Sequence, residues 1–140
     1  MAWFNEVTFY HIYPIGAFDA PKRNEGAASA GSRILQLEDW IPHLKKLGIG
    51  ALYIGPIFES VSHGYDTTDY FTPDTRLGTK EEFKKVFDAL HEAGIRIVLD
   101  GVFNHVGRSF GPYRDVVEKK DDSPYRFWFS GLQFGWGNHT

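Results

Sequence analysis

The sequence contains no cysteine among its 140 residues. Disulfides, thiolate metal sites and cysteine nucleophiles are therefore excluded for these residues. It also lacks an apolar stretch long enough to cross a bilayer. Its first residues have neither the basic region nor the apolar core that are typical of a signal peptide. We therefore expect a cytoplasmic protein that has no membrane partner.

The sequence also lacks a strong excess of positive or negative charge. The 15 basic and 18 acidic residues give a net charge of -3, and no run of Lys or Arg indicates a nucleic-acid partner. The glycine-rich phosphate-binding motifs of nucleotide enzymes are absent as well. The length fits one domain, and hydrophobic residues at 42% are typical of a globular chain.

What is present is a repeated strand–helix pattern. Residues 47–54 and 93–100 are short apolar runs, and in each run a glycine, Gly48 or Gly94, precedes the strand and ends a helix. Residues 7–13 predict an earlier strand. Thr79 and Glu82 have the spacing of a capping box at the start of the second helix.

This order of elements predicts an α/β fold with parallel strands and right-handed crossovers. An open doubly wound sheet and a (β/α)8 barrel of the TIM type both fit it. Three strands cannot close a barrel, which typically needs about 250 residues. The loops after the strands, residues 16–32 and 58–78, are long, and in both architectures this edge of the sheet carries the site.

Two sets of polar side chains follow neighbouring strands and are expected to meet at one edge of the sheet. After the second strand come Glu59, His63, Tyr65, Asp66 and Asp69, and after the third come Asp100, Asn104 and His105.

Three interpretations of these side chains compete. Glu59 and Asp100 can be a carboxylate pair for glycoside hydrolysis. His63 and His105 can bind a transition metal with a carboxylate. Alternatively, the side chains hold a substrate whose reacting atoms face residues elsewhere. Each residue taken singly is also explained as a loop or turn former.

Several motifs together narrow these alternatives. Residues 63–71 read HGYDTTDYF, residues 77–79 read LGT, and residues 94–105 read GIRIVLDGVFNH. In this order they closely resemble the α-amylase family of glycoside hydrolases, and residues 47–58 resemble its second strand. The resemblance covers residues 7–107.

The resemblance implies a partial (β/α)8 barrel with its first three parallel strands and two helices. Residues 1–107 would form the N-terminal part of the catalytic barrel. Residues 108–140 would begin the domain that the family inserts after the third strand. The aromatic residues at 125–129 and Trp136 in that segment suit either sugar stacking or packing, and packing is the more common role.

The resemblance also implies roles for individual residues. The substrate-binding residues would be His63, Tyr65, Asp100 and His105: Tyr65 would stack on the sugar, with His63 beside it, His105 would bond the sugar, and Asp100 would support the geometry. Asn104 would be a metal ligand for a structural calcium. No residue of this chain matches the family's catalytic carboxylates.

The function implied is hydrolysis or transfer at α-glucosidic bonds with retention, acting on starch, maltodextrin or cyclodextrin. We expect the 140 residues alone to be an inactive N-terminal fragment that self-associates through exposed strand edges. The alternative is a non-catalytic amylase-like module that binds a sugar or a protein.

Overall fold

The computed structural model describes residues 1–134. In chain order the strands and α-helices are β1 (Thr8–Ile12), α1 (Pro14–Ala17), α2 (Ile41–Lys46), β2 (Ile49–Ile54), β3 (Phe58–Ser60), β4 (Thr67–Pro73), α3 (Lys80–Glu92), β5 (Arg96–Leu99) and α4 (Gly111–Lys119). The longest 3-10 helix is Arg33–Trp40, and shorter ones cover Trp3–Asn5, Gly26–Ser29, Lys120–Asp122 and Arg126–Trp128.

The three predicted strands form one parallel sheet in the order β1-β2-β5. Tyr53 of β2 is paired with His11 on one side and with Val98 on the other. The central strand is almost entirely buried, whereas β1 and β5 each have one unpaired edge and are partly exposed. This pattern confirms the parallel α/β arrangement that was predicted from the alternating elements.

The helix boundaries follow local chemistry. Thr79 accepts a hydrogen bond from the backbone of Glu82, whose carboxylate bonds back to the Thr79 amide, so the predicted capping box is present. Gly48 and Gly94 have φ of +71° and +79°, the left-handed values that end a helix at little cost for glycine. Pro42 lies in the first turn of α2, where it displaces no helical hydrogen bond.

The core lies between the sheet and the helices on one of its faces. Leu52 and Ile54 of β2 are fully buried against Leu44 of α2 and against Val86 and Leu90 of α3. Burial of these apolar side chains stabilises the crossovers, since each contributes roughly 1.5–3 kcal/mol. The other face of the sheet presents Tyr53, which is only partly buried.

The segment after β2, expected to be a loop, contains an antiparallel hairpin of β3 and β4. Its register is irregular, and Glu59 is paired with Asp69. Alternation is weak in these residues, and this is why the sequence pattern did not predict the strands.

Residues after Gly107 form α4 and two 3-10 turns that pack on each other. Tyr113 of α4 meets the ring of Phe129 with centroids 5.4 Å apart, and Tyr125 meets Trp128 at 4.9 Å. Trp136 lies outside the described residues. Within residues 1–134, no helix is long and apolar enough to span a membrane.

Candidate substrate site at the strand ends

The carboxyl ends of the three strands lie side by side. The amide of Gly55 donates to the carbonyl of Ile12 at 2.8 Å, and the amide of Asp100 donates to that of Ile54 at 3.0 Å. The backbone hydrogen bonding of the sheet therefore continues one residue past the ends of β2 and β5. Side chains that follow β2 and β5 are held at one edge of the sheet, as expected for parallel strands.

Asp100 is close to two tyrosines at this edge. The pKa of Tyr65 is raised by burial and by the negative charge of Asp100, and that of Tyr53 is raised by burial and by hydrogen bonding to Asp100. Tyr65 is nevertheless 39% exposed, so its ring offers a face to a ligand. The structure thus brings Tyr65 and Asp100 together, although they are separated by α3 along the chain.

His63 lies beside Tyr65, with ring centroids 6.2 Å apart. Its Nδ1 accepts a hydrogen bond from the Tyr65 amide at 3.2 Å, which leaves Nε2 to carry the proton in the neutral ring. The Tyr13 hydroxyl donates to the His63 carbonyl at 2.7 Å. The side chain itself is 62% exposed and free to face a ligand.

His105 and Asn104 lie in the run that follows β5, and both are exposed. The carbonyl of His105 is 3.2 Å from the Tyr70 hydroxyl. Among the described residues, no hydrogen bond or ring contact joins its imidazole to His63, Tyr65 or Asp100. The structure therefore gathers His63, Tyr65 and Asp100 into one cluster, to which it does not join His105.

Two residues at the end of the first strand, His11 and Tyr13, also lie near this cluster and were not predicted from the sequence. The ring of His11 stacks on Tyr53 at 4.6 Å, and Tyr13 supports His63. Both precede Pro14 at the end of β1, so the same rule that singled out the ends of the other two strands could have found them.

Tyr70 of β4 was also missed. Its hydroxyl donates to the carbonyl of Val102, and its ring lies 5.6 Å from that of Phe103. It ties the hairpin to the run after β5. The sequence shows only an aromatic residue in a polar loop, with no signal for these partners.

Glu59 is not a free carboxylate. Its Oε1 accepts from Asn24 Nδ2 at 2.8 Å, and its Oε2 accepts from the amide and hydroxyl of Thr75 at 2.7 and 2.9 Å. Both oxygens hold loops together. This geometry disfavours the carboxylate-pair interpretation.

The described residues do not form a metal site by themselves. Asn104 is one oxygen ligand, whereas Ca²⁺ takes 6–8. In residues 1–134 no group of three or more His, Asp or Glu side chains is placed to hold an ion. Calcium binding through Asn104 stays a prediction that requires ligands from elsewhere.

Taken together, the cluster suits a ligand with many hydroxyl groups. A partly exposed phenol ring offers an apolar face, while a carboxylate and an imidazole supply acceptors and donors beside it. No side chain in the cluster is arranged as a nucleophile next to a base. The arrangement can hold and orient a ligand.

Comparisons with known proteins agree with this geometry. A sequence profile described as the alpha amylase catalytic domain matches residues 34–138. The chain is 39% identical to a cyclomaltodextrinase of a Bacillus species, over 91% of this chain and 25% of that protein. It is 40% identical to a maltogenic alpha-amylase of Bacillus acidopullulyticus, over 94% and 25%.

A solved structure shares the fold. The ligand-free cyclic alpha-maltosyl-(1→6)-maltose hydrolase of Arthrobacter globiformis is similar with a TM-score of 0.74 and 36% identity, covering 91% of this chain and 32% of that one. The prediction of a partial (β/α)8 barrel is thereby confirmed. The chain spans about a quarter of the length of the curated relatives named above. It belongs to the α-amylase family of glycoside hydrolases.

Proposed function

We propose that these residues form the substrate-holding part of a retaining glycoside hydrolase that acts on α-glucosidic bonds of maltodextrin, starch or cyclodextrin. The observation that carries the proposal is the partly exposed ring of Tyr65 next to Asp100 at the strand ends. The relatives support it, because one is named a cyclomaltodextrinase and another a maltogenic alpha-amylase.

Within this proposal Tyr65 stacks on a glucose ring, and His63 and Asp100 accept or donate hydrogen bonds at its hydroxyls. His105 bonds the same sugar from the run after β5. An aromatic ring that stacks on a sugar buries the apolar face of the sugar and leaves the hydroxyl groups at its edge free to form hydrogen bonds. The ring of Tyr53, on which His11 stacks, lies beside Asp100.

A titration of the chain with maltotriose, followed by amide chemical shifts, tests this. Shifts should concentrate at residues 63–66 and 100–105, and Tyr65→Ala should weaken binding roughly tenfold, about 1.4 kcal/mol. Phe4→Ala is the matched control, because this exposed aromatic residue precedes β1 at the opposite end of the sheet. Equal effects of both substitutions, or no binding by the unsubstituted chain, would contradict the proposal.

The 140 residues alone are proposed to hydrolyse nothing. The support is that both oxygens of Glu59 accept bonds from Asn24 and Thr75, and that no residue of the chain matches the family's catalytic carboxylates. Release of glucose or maltose from maltoheptaose by the pure chain, measured by chromatography, would overturn this. A non-catalytic sugar-binding module is the alternative, and a longer polypeptide carrying these residues separates the two by its turnover.

Residues 108–140 are proposed as the start of the domain inserted after the third strand. The support is that α4 packs on its own following turns, through Tyr113 with Phe129 and through Asp115 with Ser123. Deleting residues 108–140 should leave the amide shifts of the sheet unchanged, and their collapse would argue against a separate unit.

Self-association is proposed through the unpaired edges of β1 and β5. Phe9 and Leu99 are exposed on these strands, and such edges pair readily with another chain. Light scattering after size-exclusion chromatography should give a mass above 16.0 kDa. Leu99→Lys should reduce that mass, whereas Leu47→Lys, an exposed leucine that lies outside the sheet, should not. A monomer at all concentrations contradicts the proposal.

A further inference from the structure

A buried ion pair lies beneath the hairpin. Asp74 and Arg76 both have 0% exposure, and the carboxylate binds the guanidinium with both oxygens, at 2.8 Å from Nε and 2.7 Å from Nη2. Burial alone would lower the pKa of Arg76. The hydrogen bond and the charge of Asp74 outweigh this effect, so the pKa is raised above its ordinary value and the side chain stays charged. Asp and Arg side chains are almost never fully buried unless they are paired.

The guanidinium also holds two loops. Its Nη1 donates to the carbonyl of Pro21 at 2.9 Å and to the carbonyl of Ser62, while Nη2 donates to Ser60 Oγ at 2.9 Å. Together with the two bonds to Asp74, all five N–H donors of Arg76 have partners. Lysine has three donors and no planar fork, and cannot replace this set of contacts.

Ser62 connects the ion pair to the site. Its amide donates to Asp66 Oδ1 at 3.1 Å and its hydroxyl donates to Asp66 Oδ2 at 2.6 Å, closing the turn that carries His63 and Tyr65. The Tyr13 hydroxyl holds the same turn from β1. Arg76 therefore contacts Ser62, the residue that immediately precedes the segment 63–66.

Stability alone is a weak reason for such a pair. A buried ion pair is often no more stabilising than well-packed apolar side chains of similar volume, because desolvation offsets the attraction. What the pair supplies, and apolar side chains cannot, is a fixed set of directed bonds to carbonyls of two loops. Its contacts point toward positioning.

We propose that Arg76, oriented by Asp74, is a positioning residue that sets the place of His63 and Tyr65 against Asp100. This inference rests on the proposed function, since it assigns Arg76 a role in holding the α-glucan. Arg76 does not touch the ligand. It acts through the Ser62 carbonyl and the turn that Ser62 closes with Asp66.

A double-mutant cycle between Arg76→Lys and Tyr65→Ala tests the proposal, with maltotriose affinity measured by calorimetry and stability by urea unfolding. Arg76→Lys should weaken binding about tenfold in the unsubstituted chain and less than about twofold when Tyr65 is already alanine. Its effect on the urea midpoint should be the same in both backgrounds. A structural role alone would lower affinity equally in the two, or not at all, and either result overturns the proposal.

Ser60→Ala serves where Arg76→Lys does not fold. It removes the bond that Ser60 Oγ accepts from Nη2 and the bond that it donates to Asp74 Oδ2, but it keeps both direct contacts between Arg76 and Asp74. Weaker binding should accompany amide shifts confined to residues 60–66, and unchanged affinity would count against the proposal. If the unsubstituted chain binds and Tyr65→Ala weakens it while both network variants bind normally, the positioning role fails and the proposed function stands. If the unsubstituted chain does not bind, the proposed function fails first.

Discussion

The two segments that supply the site differ in how they are held. The segment after β2, residues 55–78, surrounds a buried ion pair, and its polar side chains bond one another and the loop near Asn24. The run after β5, residues 100–107, has exposed side chains at Phe103, Asn104 and His105. It is tied to the hairpin mainly by the Tyr70 hydroxyl and by the Gly107 amide.

The difference indicates that the part of the candidate site after β2 is preorganised by side-chain hydrogen bonds, whereas the part after β5 is less so. His63 and Tyr65 have their places fixed by Tyr13, Ser62 and Arg76. Within residues 1–134, the hydrogen bond of His105 is made by its backbone carbonyl, which accepts from Tyr70. Phe103 is 80% exposed.

The largest expected effect comes from the ion pair. Asp74→Asn leaves the Arg76 charge buried without its partner and should lower the free energy of unfolding by about 3–5 kcal/mol. Asp69→Asn is the matched control, because Asp69 is partly exposed and, among residues 1–134, its carboxylate accepts bonds from Phe71 and Thr72 alone. It should cost no more than about 1 kcal/mol. Urea unfolding followed by fluorescence measures both, and equal losses would show that burial of the ion pair adds nothing to the cost of neutralising a carboxylate in residues 55–78.

A smaller effect is expected at the link between the segments. Tyr70→Phe keeps the ring and removes the hydroxyl that bonds Val102, so the free energy of unfolding should fall by about 0.5–1.5 kcal/mol. Amide exchange should accelerate at residues 102–107 and stay unchanged at residues 61–66. Tyr10→Phe is the control, because that hydroxyl has no hydrogen bond within the described residues. Uniform acceleration in both segments would show that they are not held independently.

The smallest effect concerns the charge of Asp66. Burial would raise its pKa, but the hydroxyl and amide of Ser62 lower it below its ordinary value. A carboxyl group whose pKa is lower in the folded state than in the unfolded state stabilises the fold at pH values above its unfolded pKa. That stabilisation is lost as the pH falls through the folded pKa. Ser62→Ala should move the pKa of Asp66 up toward its ordinary range. Carboxyl chemical shifts measure this, with Asp69, whose pKa is lowered by Thr72 and Phe71, as an internal control that should not move.

Much of the fold was predictable because its signals are local. The capping box of Thr79 and Glu82 and the left-handed Gly48 and Gly94 act within one turn of chain. Apolar runs gave the three parallel strands. Leu47 opens the apolar run 47–54 but is exposed, because it follows the end of α2 at Lys46 and precedes β2.

The candidate site was predictable in part. The motif at residues 63–66 and the strand end at Asp100 pointed to the same edge, and the structure brings Tyr65 and Asp100 together. The hairpin, the link at Tyr70 and the ion pair had no such signal. The partners of Arg76 lie as far as 55 residues away along the chain, and no spacing rule reaches that distance.

The sequence by itself determined the alternating strands and helices, the family and the edge of the sheet where a ligand would bind. These follow from periodicity, capping and ordered motifs, which depend on neighbours along the chain. Only the tertiary structure decided which polar residues are structural and which are free. It assigned Glu59, Asp74 and Arg76 to holding loops and left His63, Tyr65 and His105 facing outward, because hydrogen-bond partners are settled by proximity in space.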